Sequence, residues 1–404
     1  MKSLLSIITV LIFSLVSNAQ NYITISGKVI DQETKEPLPF ASIYIKNNAT
    51  GTTSNKDGTF IFHVSTHLSK EPVIISMIGY KSIEIPANQF TINQTIYLQQ
   101  SIAQLDNVIL TSGKPLSAKK IVKKAYKAID TNYPKEPYIL EGFIRDLQNE
   151  DGQYVELLEC AVKFYYKDYK DYNSPKVELQ EVRQSYIAKK HSWNEDFERK
   201  NSIVDLIEDD FIRYDYGPIK VKNGWSYKIE SILPFANRLV YKIIGKNPPF
   251  QKTTLYIDTE NFAFVRMELT RSRNKEKYYK RRLTNGQQEA GYHIVFEYQE
   301  HEGKMYLKYL KEEDTWHIFN GSGSNQILFK KHPKKELFIN RITTKNLNNH
   351  SFSNNLDITK SIENQAGLYN PEFWKYYNAP TLTLQESKIV EELKKAQINI
   401  SRKE

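Results

Sequence analysis

Between Tyr22 and Leu98 apolar and polar residues alternate in short runs parted by turn residues. A period of two sends successive side chains to opposite faces of a strand, so this stretch can bury its apolar half only as a small all-β sandwich. Ile23, Ile25 and Val29 open the pattern, and Ile43 with Ile45, Phe60 with Phe62, Ile74 with Ile75 and Ile83 with Ile85 continue it. The segment "TSNKDG" joins two of these runs. Asn55 and Asp57 there can bond the local backbone and Gly58 can take a positive φ, which makes Asp57 a turn residue. Calcium ligation by Asn55 and Asp57 would need several further oxygens, and no such carboxylate series follows. In "EPLPFASI", Pro37 and Pro39 fix a loop, after which Phe40, Ser42 and Tyr44 point opposite to Ala41, Ile43 and Ile45.

The segments "ISGKVIDQETKEPLPFASIYIKNNATGTTSNKDGTFIF" and "VIISMIGYKSIEI" resemble the carboxypeptidase regulatory-like domain, a transthyretin-like sandwich. The resemblance runs from Ile23 to about Gln100 and rests on the ordered set Gly27, Pro37, Ala41, Gly51, Thr52, Asn55, Asp57, Gly58, Phe60, Gly79 and Tyr80. It implies a fold and a compartment, the bacterial envelope, and no activity. A zinc peptidase would need His-x-x-Glu with a distant His, and none of the eight histidines begins that motif. His63 and His67 lie four apart, but His63 is in a predicted strand, where four residues span about 13 Å, too far for one shared metal if the strand continues.

The first twenty residues, "MKSLLSIITVLIFSLVSNAQ", carry Lys2, an apolar run from Leu4 to Val16 and small residues at Ser17 and Ala19, the pattern of a cleaved secretory leader over residues 1–19. The run is shorter than the ~20 residues a bilayer needs, and no later stretch approaches that length, so no transmembrane helix is expected in the mature chain. Cys160 is the single cysteine, which excludes an intramolecular disulfide. Export without disulfides fits the periplasm or the outer membrane. Lys and Arg number 56 against 47 acidic residues, a net +9. That excess is small and interspersed; it leaves anionic lipid or glycan as partners and argues against nucleic acid.

Residues 22–100 are thus read as the sandwich, 101–116 as a linker, 117–378 as an antiparallel α+β region and 379–404 as a C-terminal helix and tail. After the linker, Ser117 stands as an N-cap, and Ala118, Ile121, Val122, Ala125 and Ile129 recur on one helical face. Lys119, Lys120, Lys123, Lys124 and Lys127 crowd the other sides, either as a solvated face or as a contact for an anionic surface. Hairpins are expected about Asp151 and Gly152, through Thr259 to Asn261, about Glu302 and Gly303, and through His332 to Lys334, with a helical interval near residues 202–211. The combination predicts a mainly β protein whose second region is an antiparallel meander with a few helices. Residues 116–169 resemble a poorly characterised region that often follows this sandwich, and "LYIDTENFAFVRMEL" resembles the hairpins of lipoprotein-carrier half-barrels, which hold acyl chains.

No catalytic, cofactor or metal residue is assigned. The acidic runs Glu208 to Asp210 and Glu312 to Asp314 read as solvated, since neighbours on a strand face opposite ways. "NGSGSN" at 320–325 lacks the order of a dinucleotide loop or a nucleophile elbow and reads as a loop. Near the end, Phe373, Trp374, Tyr376 and Tyr377 form a dense aromatic patch, either packed on the sheet or presented to a partner. Thr383 and Glu386 form a capping box for a helix carrying Ile389, Val390 and Leu393. The function expected is that of a non-enzymatic exported envelope protein whose sandwich serves interaction or scaffolding with other envelope proteins. The alternatives are a binder or carrier of a lipid, acyl chain or glycan on a curved sheet, and an uncharacterised hydrolase.

Overall fold

The computed structural model describes residues 22–101, 115–171, 173, 175–186, 203, 206–207, 210–221, 224–236, 238–272, 286–320, 326–347, 356–357, 362, 365 and 369–401, with side chains of the last helix followed to Glu392. The leader, most of the linker, Glu208, Asp209, residues 321–325 and the Leu393 side chain lie outside the described residues. The sandwich consists of β1 (Tyr22–Asp31), β2 (Ser42–Ile45), β3 (Gly51–Thr53), β4 (Thr59–Ser65), β5 (Pro72–Ser76), β6 (Ile83–Pro86) and β7 (Gln94–Leu98). One sheet has the order β4-β1-β7, with β1 antiparallel to β4 and parallel to β7; the other has the order β3-β2-β5-β6. Alternation decides the core: Ile25, Val29, Phe60, Phe62, Ile43, Ile45, Val73, Ile75 and Ile96 meet between the sheets. Ser42, on the reverse side of β2, is also buried, because a second and larger sheet covers it.

After helix α1 (Ala118–Asn132) come β8 (Tyr138–Glu150), β9 (Gln153–Tyr166), β10 (Lys176–Tyr186), β11 (Ser226–Phe235), β12 (Arg238–Asn247), β13 (Gln251–Asp258), β14 (Phe264–Ser272), β15 (Gln287–His301), β16 (Lys304–Phe319), β17 (Ile327–Lys331) and β18 (Lys334–Thr343). They form one antiparallel sheet in which two meanders, β10-β9-β8 and β16 back to β11, are joined by β17 and β18. The two-residue turns behave as their sequences require. Asp151 and Gly152 have φ of 49° and 87°, Glu302 and Gly303 have 48° and 75°, the left-handed pair that matches strand twist.

The fourth expected hairpin is absent. β17 and β18 do not pair with each other; both run antiparallel to β16 and lie between it and β8. His332 N–H donates to Asn149 O at 2.9 Å and Asp314 N–H donates to Pro333 O at 3.1 Å, so the two residues carry the chain straight on between their neighbours. Pro333 has no N–H for the ladder, which interrupts the strand without reversing it.

One row of apolar side chains crosses every position of the large sheet: Val182, Cys160, Ile144, Leu337, Leu310, Phe296, Met267, Leu255, Ile243 and Ile229. This inner face is covered by α1, whose Ala118, Ile121, Val122, Ala125 and Ile129 are all buried in the same cluster, and by Ile203, Leu206, Ile207, Phe211 and Ile219. Ile203, Leu206 and Ile207 are helical, within the interval expected there. Ser117 occupies the N-cap position of α1, but its side chain caps nothing; its carbonyl accepts from Lys120 N–H and Ile121 N–H. Asp210 also departs from the sequence reading. It is not solvated but 3% exposed, because it ties the cover to the floor: its carboxylate accepts from Tyr298 OH at 2.7 Å and from the backbone N–H groups of Ile212 and Arg213. Burial pushes its carboxyl above the ordinary value against the pull of Arg213.

The opposite, outer face of the large sheet receives the sandwich and the C-terminal segment. Phe143, Ala161, Val295, Tyr309, Phe338 and Trp374 form a second apolar cluster there, with Phe40 of the sandwich packed against it.

Candidate functional site: a clasp and two polar clefts

The turn that joins β3 to β4 does two jobs. Asn55 Oδ1 accepts from Asp57 N–H at 2.9 Å and Thr59 N–H at 3.0 Å, and Gly58 has φ 75° with the space for a Cβ taken by Val29 O at 2.5 Å. That geometry makes the bend. The same side chains also hold the C-terminal segment. Asn55 Nδ2 donates to Thr381 O and Leu382 O at 3.3 and 3.1 Å, and Asp57 Oδ2 accepts from Leu384 N–H at 2.9 Å. Leu384 opens the helix Leu384–Ser401, here α3, so Asp57 caps a helix 327 residues away in sequence. Thr383 and Glu386 complete that start as a reciprocal capping box: Glu386 N–H donates to Thr383 Oγ1 at 3.0 Å and Thr383 N–H to Glu386 Oε2 at 2.8 Å.

Upstream, the short helix α2 (Pro371–Lys375) starts on Asn370, whose side chain accepts from Glu372 N–H, with Pro371 in the first turn. Trp374 is 9% exposed, edge-on to Phe143 at 6.1 Å, with the Arg183 guanidinium 4.3 Å above its ring. Phe373 stacks on Tyr377 at 5.0 Å, and Tyr377 OH donates to Gly142 O at 2.7 Å. Tyr376 turns the other way and stacks on Tyr22 of the sandwich at 5.7 Å, beside the His63 ring. Asn378 then exchanges two hydrogen bonds with the His63 backbone, at 2.8 and 3.0 Å. The segment is a clasp that joins the sandwich edge to the outer face of the sheet. His63 and His67 are engaged separately, with Thr24 and Ser65 hydroxyls.

Between the two units lies a charged node that periodicity does not flag. Glu297, 5% exposed, accepts from Ser42 Oγ at 3.2 Å, Lys308 Nζ at 3.2 Å and Arg266 Nη1 at 2.9 Å. Burial alone would push its carboxyl up; Lys308 and Arg266 outweigh it and hold the pKa below the ordinary value. The available sequence signal is a lone carboxylate between Phe296 and Tyr298 in a strand buried on both faces.

Two clefts open beside these ties. The first, about 570 Å³, lies between the units; Tyr44, Lys46 and Ser76 come from the sandwich and Arg238, His301 and Lys308 from the large sheet. It is bounded by the Glu297 node and, near Phe235, by a bond from Gly79 N–H to Pro234 O at 2.8 Å. The second, about 560 Å³, opens beside the break between β17 and β18 and is lined by His293, Glu313, Asp314, His317, His332 and Lys334, among others. His293 Nδ1 lies 3.6 Å from Glu313, and that contact, with Lys311, holds the Glu313 carboxyl down at about 2. Burial and the neighbouring Glu312 push Asp314 up to about 8. The acidic run is therefore half-buried and split between faces, not solvated: Glu312 stands with Leu310 and Ile294 on the inner face, Glu313 opposite His293 on the outer. Among the described residues no group of three or more His, Cys, Asp or Glu side chains converges as a metal site.

Residues 25–110 match the family of the CarboxypepD_reg-like domain. The N-terminal sandwich is a CarboxypepD_reg-like domain. It is this domain that presents Asn55 and Asp57 to the clasp and Ser42 to the node. No curated protein matches the chain. Among solved structures, the chain is similar to a LolA superfamily protein from Nitrosomonas europaea at 10% identity, over 58% of this chain and 96% of that one, with a TM-score of 0.22. A putative outer membrane lipoprotein-sorting protein domain from Vibrio parahaemolyticus gives 9% identity, 57% and 94% coverage and a TM-score of 0.25. A DUF1329 family protein from Desulfovibrio piger gives 9%, 57% and 95%, and 0.26. All three TM-scores are too low for a shared fold to be read from them. No helix among the described residues is long and apolar enough to cross a membrane.

Proposed function

We propose that this chain is a non-enzymatic binding protein of the bacterial cell envelope, exported by its leader to the periplasm or the outer membrane, and that the cleft between the CarboxypepD_reg-like domain and the large sheet receives a polar chain, a glycan. The observation that carries the reading is the construction of that cleft from both units. Tyr44 and Phe235 offer ring faces for sugar C–H groups, and Lys46, Asn48, Arg238, Glu300 and His301 offer donors and acceptors around them. Burial pushes the Tyr44 phenol up, so it stays neutral and able to donate. Glu313 and Asp314 alternate along β16, and each is held by its own neighbours, Glu313 by His293 and Lys311 and Asp314 by Glu312, which supports a structural over a catalytic use of the pair.

The test is isothermal titration of the full mature chain with oligosaccharides prepared from peptidoglycan and from outer-membrane glycans, for wild type and for Tyr44→Ala with His301→Ala. Binding that falls at least about tenfold in the double variant supports the reading. Absence of binding by wild type, or equal binding by the variant, overturns it. A second reading, an acyl chain under α1, is favoured by the apolar row that crosses the whole inner face. A phospholipid mass in native spectra of protein taken from its own envelope would move the site there.

A further inference from the structure

The exposed side of α1 is electrostatically unfavourable for the helix that carries it. Of its positions facing water, Lys119, Lys120, Lys123, Lys124 and Lys127 are basic, and Asp130, the acid in the helix, is bound to Lys170. Lys119 with Lys123, Lys120 with Lys124 and Lys123 with Lys127 are like charges one turn apart, which disfavour a helix. The first turn holds no acid, and Lys119 and Lys120 lie there, at the positive end of the helix dipole. Among the described residues no carboxylate pairs with any of the five; Lys124 instead lies 4.7 Å over the Phe262 ring. An arrangement that costs stability at each of these points, with its apolar face already committed to the core, matches an external anion.

We infer that this face of α1 docks on an anionic phospholipid surface. The lysines form a flat double row about 12 Å long and not a pocket, which suits a plane of phosphate headgroups. The opposite, apolar side of the helix is the one packed in the core, and none of the five lysines lines the interdomain cleft. The apolar residues of α1 are buried, so contact is electrostatic without insertion.

The experiment is co-sedimentation of the full mature chain with vesicles of phosphatidylcholine alone or mixed equally with phosphatidylglycerol. The inference expects binding to the mixed vesicles only, released by raising salt, and a partition lowered about three-thousandfold when all five lysines become Gln, at roughly fivefold per lysine. Five exposed sandwich lysines, Lys28, Lys35, Lys56, Lys70 and Lys81, changed to Gln keep the same net charge as that variant and should leave binding unchanged. Binding lost equally in both variants, binding insensitive to salt, or no preference for phosphatidylglycerol overturns the inference. If the α1 variant fails to fold, the salt and lipid dependence of wild type decides by itself. Failure of the glycan titration would leave this result untouched, since the two sites share no residue.

Discussion

Trp374→Ala tests whether the clasp holds the molecule together. The indole is nine-tenths buried, so the substitution returns about 200 Å² of apolar surface to water, roughly 5 kcal/mol at about 25 cal/mol per Å². Loss of the Arg183 stacking adds about 1 kcal/mol. Against this, the buried indole N–H has no hydrogen-bond partner, and its removal refunds about 1–3 kcal/mol of desolvation. The net is a destabilisation of about 3–5 kcal/mol, within the range for large aromatic truncations. For a sheet region of this size it lowers the melting temperature by roughly 6–10 °C. Differential scanning calorimetry of the mature chain reads it directly. Trp374→Phe is the internal control: it keeps most of the ring against Phe143 and removes the orphan N–H, so it should cost less than about 1.5 kcal/mol. A shift under about 1 °C for Trp374→Ala, or equal losses for both variants, would refute the packing account and return the aromatics to the role of an exposed platform.

Gly58→Val places a β-branched side chain at φ 75° against Val29 O and should destabilise the sandwich by about 2–3 kcal/mol in thermal melts. Asp57→Ala should cost about 1 kcal/mol and raise amide hydrogen exchange at the start of α3, with calcium content unchanged; faster exchange confined to the turn would contradict the capping role. Asp314 has a folded-state pKa raised from 3.8 to about 8, so the native state binds the extra proton and stability falls as pH rises between those values. Asp314→Asn should remove that slope, making the variant the more stable of the two at pH 8 by urea unfolding.

The sandwich is legible in strands such as β4, where one face is core and the other is not: Phe60 and Phe62 are buried while Ile61 is exposed. In β8 that contrast vanishes. Phe143 packs outward under Trp374, Ile144 inward under the cover, and Arg145 is buried beside Glu159, so nearly every residue of the strand is covered. Periodicity still finds such a strand, through its Asp151-Gly152 turn, but cannot say which face is the core. β17 and β18 differ from the expected hairpin for a related reason. Local sequence shows two runs around a His-Pro pair, whereas their partners, Trp316 and Leu147, are set by the distant strands between which they fit. Asp57 shows the same limit at one residue: its turn is written in its neighbours, its partner Leu384 is not.

The ties between the units also fix how the interdomain cleft can behave. A cleft that closes on its ligand needs a hinge on one side and few contacts on the other. Here the Glu297 node bounds one side and the Gly79 to Pro234 bond the other, while the clasp adds the Asn378 pair with His63 and the Asn55 and Asp57 bonds. Opening at the node would remove Ser42, its sandwich member, from Glu297 and Lys308 while leaving the Lys308 and Arg266 ion pairs to Glu297 intact within the sheet, a cost of about 1.5–3 kcal/mol for a hydrogen bond to a charged group, to which the Gly79 to Pro234 bond and the Asn378 pair add. A ligand bound only by neutral hydrogen bonds gains about 0.5–1.5 kcal/mol from each and would need several merely to offset that opening. The cleft is therefore preformed, and a glycan of the proposed kind would be selected by the spacing of its Tyr44 and His301 walls, with affinity that does not have to cover the cost of closure.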